Sequence, residues 1–139
     1  MQKSERRIYV TQGLPGSGEM EWAKNWRSEN PNDRVVINTG VAYNNSLSYI
    51  IESYMNDYAD IVLCSSGFDD VLFNHVKEMV DEFNHTDSFY HYKVERKIFV
   101  MPLEFYIEKH PHNENVIREL YSKHRDLIET CLFNSNNSN

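Results

Sequence analysis

Between Gly13 and Trp22 the chain reads GLPGSGEMEW, and these residues nearly spell a phosphate-binding loop. In the pattern G-x-x-x-x-G-K-[ST], glycines let backbone N–H groups curve around phosphate oxygens, the lysine reaches the terminal phosphates and the hydroxyl ligates magnesium. Gly13, Leu14, Pro15, Gly16, Ser17 and Gly18 keep the glycine spacing, while Glu19 and Met20 occupy the lysine and hydroxyl positions. Glutamate beside a polyphosphate turns attraction into repulsion, and a pair of unit charges about 4 Å apart is worth roughly 4 kcal/mol at an effective dielectric of about 20. Methionine offers a thioether where a hard cation needs oxygen. Acidic side chains in the first turn of a helix nevertheless interact well with its unpaired N–H groups, by about 0.3–1 kcal/mol each. Glu19 is therefore expected to fill the loop's own anion site, with residual nucleotide binding through backbone N–H groups as the alternative.

Such a loop works only between a strand and a helix, and the flanking residues have those patterns. Arg7 to Gly13, RIYVTQG, is β-rich, and EMEWAKNWRSEN after the loop places Trp22 and Trp26 four apart on one helical face. The same alternation continues. RVVINTG predicts a second strand, and Ser46 to Tyr58 a helix carried by Leu47, Ile50, Ile51, Tyr54 and Tyr58. DIVLCSSG predicts a third strand, and FDDVLFNHVKEMVDEFN an amphipathic helix with Val71, Leu72, Val76, Met79, Val80 and Phe83 inward. HYKVERKIFVM predicts a longer strand whose central charges suit a partly exposed or an edge position. Pro102 starts a short helix to Lys109, HPHNEN follows, and a final helix is expected from Val116 to Leu132.

Strands alternating with helices imply an α/β fold, a parallel sheet flanked by helices in one domain over residues 1–132, with a disordered Asn/Ser tail at 133–139. Ligands of such sheets sit at the carboxyl ends of the strands. Here those ends are the Gly13–Gly18 loop, the turn from Asn38 to Gly40 and the turn from Cys64 to Gly67. The 14 Lys+Arg against 21 Asp+Glu give a net charge of −7, which disfavours non-specific nucleic-acid binding. Cys64 and Cys131 lack CxxC or CxxH neighbours and read as buried thiols of a reducing compartment. No run reaches the roughly 18 apolar residues of a membrane span, so a soluble cytoplasmic protein is expected. His110 and His112 read as solvent-facing loop residues, with no metal or other cofactor expected.

The residues from Ile8 to about Leu127 resemble the bacteriophage polynucleotide 5′-kinases and their P-loop kinase relatives. The likeness is carried by GLPGSGEMEWA, where that family reads GxPGSGKSTWA, and less specifically by VINTG, IVLCSSGFD and IRELYSKHRDL. It implies a P-loop kinase-like fold and a phage source. The departures imply a pseudokinase. Glu19 stands at the phosphate-contacting lysine, Met20 at the magnesium-ligating hydroxyl, Gly40 at the general-base aspartate, Thr39 at an arginine and Ser65 at a second aspartate of the active centre. Arg118 and Arg125 correspond to arginines of the family's last helix, one of which would approach phosphates, although a surface ion-pair role fits them equally. The segment EKHPHNENV corresponds to the phosphate-covering lid and keeps only Lys109 as a basic residue.

With lysine, metal ligand and base replaced together, function is expected in binding a host or viral protein. The acidic, tyrosine-bearing stretch around Tyr43, Tyr49 and Asp57 is the expected contact surface, because tyrosines are frequent interface anchors. A nucleotide-sensing or 5′-end-binding module, a kinase with rearranged groups, and a homo-oligomer such as the family forms stay open as alternatives.

Overall fold

A computed structural model describes residues 4–14, 17–39, 45–64, 70–86 and 90–129. Four parallel strands form one sheet: β1 (Ser4–Gly13), β2 (Arg34–Asn38), β3 (Asp60–Cys64) and β4 (Tyr90–Phe99), in the order β2-β3-β1-β4. β1 pairs with β3 through Ile8↔Ile61 to Thr11↔Cys64, and with β4 through Ser4↔Tyr90 to Gly13↔Phe99. β4 therefore lies at the edge, as its central charges suggest. Those charges are used laterally, Arg7 meeting Glu95 at 2.9 Å across the two strands. Between the strands run α1 (Glu19–Glu29), α2 (Asn45–Asn56) and α3 (Asp70–Asn84), followed by α4 (Leu103–Lys109), a single 3-10 turn (Pro111–Asn113) and α5 (Glu114–Lys123).

Alternation along the strands divides the core between the two faces of the sheet. Ile8, Val10, Ile37, Ile61 and Leu63 join Leu47, Ile51 and Met55 of α2 and Leu72, Val76 and Val80 of α3 in one cluster. Val62 and Cys64 point the other way, against Ala23 of α1, with Trp22, Trp26, Tyr9 and Val36 around them. β3 is thus buried on both faces, which explains why it reads as an unbroken apolar run. Ala23 is fully buried, and its small side chain lets α1 lie close to β3. Trp22 and Trp26 stack at 6.2 Å between ring centres, and Tyr9 meets both edge-on. A third cluster joins Leu14, Tyr106 and Ile117, and holds α4 and α5 over the end of β1.

Three expectations need correction. Val71 is 73% exposed rather than inward, because at 100° per residue it falls in line with exposed His75, Glu78 and Glu82 and not with Leu72, Val76 and Val80. Tyr58 does not continue α2. It takes a left-handed φ of 60° and ends the helix, its N–H bonding to the Met55 carbonyl while the Ala59 N–H bonds to that of Tyr54. The last helix begins at Glu114, is interrupted at His124 and resumes over 125–129. The remainder to Leu132, the 133–139 tail and Cys131 lie outside the described residues, as do Pro15, Gly16, Gly40, Tyr43 and Ser65.

Candidate functional site

The carboxyl ends of β2, β3 and β1 converge on Cys64. Thr39, just past β2, directs both its N–H and its hydroxyl to the Cys64 carbonyl at 3.0 Å, and Thr11 of β1 donates to the Leu63 carbonyl at 3.1 Å. The helix after β1 lies on one face and the helix after β3 on the other, so a crevice opens between these two strand ends, where ligands of open α/β sheets bind. The loop that follows Gly13 borders this crevice.

The two outer glycines of the loop are required for different reasons. A side chain on Gly13 would collide with the Phe99 carbonyl oxygen of the paired strand. Gly18 has open space around it but a φ of +90°, a conformation other residues adopt only under strain. It is the N-cap of α1, its carbonyl receiving the Trp22 N–H at 3.0 Å. Ser17 contributes a hydroxyl with one proton, donated to the Leu14 carbonyl. The Tyr106 phenol lies 2.7 Å from Ser17 Oγ and accepts the Met101 N–H at 2.8 Å. Since the Ser17 proton is committed to Leu14, Tyr106 must donate to Ser17. A directed chain therefore runs from Met101 N–H through Tyr106 and Ser17 to Leu14, and fastens α4 to the loop.

Glu19 opens α1 with its carboxyl group half out of water. Its Oε2 is buried without a hydrogen-bond partner among the described residues, and burial pushes its pKa from 4.5 to about 7. Desolvation alone accounts for this rise, since burial disfavours the charged carboxylate; the expectation that Glu19 fills the anion site also involves Pro15 and Gly16, which lie outside the described residues. Burial also raises the Cys64 thiol, with the Thr11 hydrogen bond opposing and the Glu19 charge adding to the rise. A carboxyl group whose Oε2 is unpartnered among the described residues thus lies within electrostatic reach of a buried thiol. Met20 is 38% exposed at the helix surface.

The structure does not gather the other expected residues into this site. Arg118 pairs with Glu114 at 3.5 Å and Arg125 with Glu129 at 2.9 Å, each one turn away on its own helical segment. The interruption at His124 lies between the two arginines. Lys109, the one basic residue kept in the lid-like segment, lies with its Nζ 5.0 Å from the Phe105 ring centre. Tyr49 is 76% exposed on α2, and Asp57 is exposed just past its end. Among the described residues no group of His, Cys, Asp and Glu is placed to hold a metal ion, and no helix is long and apolar enough to cross a membrane. Tyr106 was missed by sequence reasoning. It lies 89 residues from Ser17, and no local pattern links two such distant positions.

Strand order, parallel pairing and a glycine loop from β1 into α1 define an α/β protein consistent with a P-loop-like fold. Among solved structures, the crystal structure of APE1195 is similar, with a TM-score of 0.58 and 14% identity over 87% of this chain and 75% of that one. At that identity the likeness is one of fold. No protein-family model and no curated protein matches the chain.

Proposed function

We propose that the chain is a non-catalytic P-loop kinase-like protein, a pseudokinase of phage type, that acts by binding a host or viral protein. The observation that supports this most is Glu19: a carboxyl group with no countercharge among the described residues stands at the lysine position of the phosphate-loop pattern. Ionised, it repels the nucleotide. Neutral, it supplies none of the cationic stabilisation on which phosphoryl transfer depends. Ser17, whose hydroxyl and partners are engaged with Leu14 and Tyr106, acts in this reading as a tie and not as a ligand. Tyr49 and Asp57 supply exposed contact surface on the other side of the sheet.

The test is a radiolabel transfer from ATP to a 5′-hydroxyl oligonucleotide with magnesium, alongside calorimetry. No transfer is expected, and ATP should bind more weakly than about 1 mM, an affinity of about 4 kcal/mol. Glu19→Lys with Met20→Ser should restore measurable ATP binding without transfer, because no base returns at Gly40. Turnover by the native chain that is lost on mutating the loop would overturn the reading. Micromolar ATP binding without turnover would favour a nucleotide sensor.

A further inference from the structure

On the face of the sheet opposite α1, helices α2 and α3 are joined by Ser48 Oγ and His75 Nε2, 2.6 Å apart. Beyond that bridge, toward their carboxyl ends, they flank a groove of about 450 Å³. Buried Met55 and half-buried Met79 and Phe83 give it apolar walls, while Glu52 from α2 and Glu82 from α3 stand exposed along it. Neither carboxylate has an ion pair or hydrogen bond among the described residues. Tyr58, Asn56 and Thr86 complete the lining.

The backbone of Tyr58 is an independent mark on this groove. Its left-handed φ of 60°, with the paired bonds to Met55 and Tyr54, is the helix-ending arrangement that favours glycine. A tyrosine here is strained, and strained positions of this kind cluster at ligand clamps. The Tyr58 ring stacks on Tyr90, with ring centres 4.2 Å apart, and the Arg6 guanidinium lies 5.0 Å from the Tyr90 ring centre. Among the described residues guanidinium groups also lie against aromatic rings at Arg34 with Trp26 and at Arg96 with Phe73.

Two unpaired carboxylates above thioether and aromatic walls, in a chain of net charge −7, complement a side chain with an apolar stem and a cationic head. Arginine fits better than lysine, because its planar, weakly hydrated head both stacks on rings and forks toward carboxylates. We propose that the α2/α3 groove receives an arginine side chain from a basic segment of a protein partner, with Tyr58 and Phe83 flanking the guanidinium and Glu52 and Glu82 neutralising it. This rests on the reading of the chain as a protein-binding module and gives that partner a chemistry.

The test is fluorescence anisotropy of the full chain with a short labelled peptide of alternating arginine and serine. Saturable binding is expected, and Glu52→Gln with Glu82→Gln should weaken it at least about tenfold, the scale of close charge pairs. Glu104→Gln with Glu119→Gln changes the net charge equally but away from the groove, and should cost less than about twofold. Tyr58→Gly suits the left-handed backbone, so it should keep the thermal midpoint at or above the native value while weakening the peptide about threefold or more. Equal losses from the two glutamine pairs would show only a general acidic field and overturn the site. Absence of saturable binding would do the same, and equal binding of a lysine-for-arginine peptide would overturn the guanidinium assignment. These outcomes are separate from the ATP assays: a silent titration sinks the groove and leaves the non-catalytic reading standing, whereas phosphoryl transfer sinks that reading and leaves the titration as measured.

Discussion

Glu19 is the residue in which the chemistry of the loop is concentrated. The folded chain holds its proton until about pH 7, whereas the unfolded chain releases it near 4.5, so between these values the native state binds more protons than the unfolded one. Stability associated with the neutral carboxyl is therefore complete below about 4.5 and is lost as pH rises toward 7. Solvent on its open side screens much of the effect, leaving about 1 kcal/mol, or roughly 3 °C in thermal midpoint for a domain of this size. Glu19→Gln removes the titration. The difference between native and variant stability, measured in urea from pH 4.5 to 7.5, should grow in favour of the variant as pH rises. A flat difference would show that the carboxyl is better solvated than its unpaired Oε2 implies. The glycines on either side illustrate how one motif serves two constraints, since Gly13 is fixed by the Phe99 carbonyl of another strand and Gly18 by its own backbone angle.

At the level of elements, the tie between α4 and the loop after β1 decides what the loop can do. Tyr106 is 2% exposed, and its phenol group accepts from Met101 N–H and donates to Ser17 Oγ. Tyr106→Phe keeps the ring in its cluster with Leu14 and Ile117 but leaves the Met101 N–H and Ser17 Oγ without that partner. It should lower stability by about 1–3 kcal/mol, the cost of orphaned buried polar groups, read as a lower urea midpoint at unchanged slope. A neutral result would mean that water replaces the phenol and that α4 is held by apolar contact alone. The bounds of α4 follow from local signals, Pro102 before it and His110 closing it onto the Tyr106 carbonyl. Its attachment to Ser17 does not, because that contact depends on how β4 delivers the chain back beside β1.

Across the whole molecule, β3 is the shared wall of both core clusters: Ile61 and Leu63 face α2 and α3, and Val62 and Cys64 face α1. Neither face can lose its packing while the other keeps a complete wall, so the two should unfold together. Both tryptophans lie in the α1 cluster, whereas much of the helical signal comes from α2 and α3 on the other face. Tryptophan fluorescence and far-ultraviolet circular dichroism should therefore give coincident urea transitions. A fluorescence midpoint separated from the dichroism midpoint would show that α1 and the loop open as a unit of their own.

The sequence by itself determined the order of strands and helices, the parallel sheet, and the presence of Glu19 and Met20 where the phosphate-loop pattern has lysine and a hydroxyl, while the central charges of β4 suited either a partly exposed or an edge strand. Each of these is written in short-range periodicity or in residue identity. Apolar type alone misplaced Val71, whose helical phase aligns it with exposed His75, Glu78 and Glu82, and apolar spacing ran α2 through Tyr58, because it carries no information about a left-handed backbone. Only the tertiary structure decided that the Glu19 carboxyl is desolvated within electrostatic reach of Cys64, that Ser17 is tied to Tyr106, and that Glu52 and Glu82 from separate helices face one groove. Those facts depend on which surfaces water is excluded from and on contacts between residues tens of positions apart, and both are properties of packing that local residue patterns do not encode.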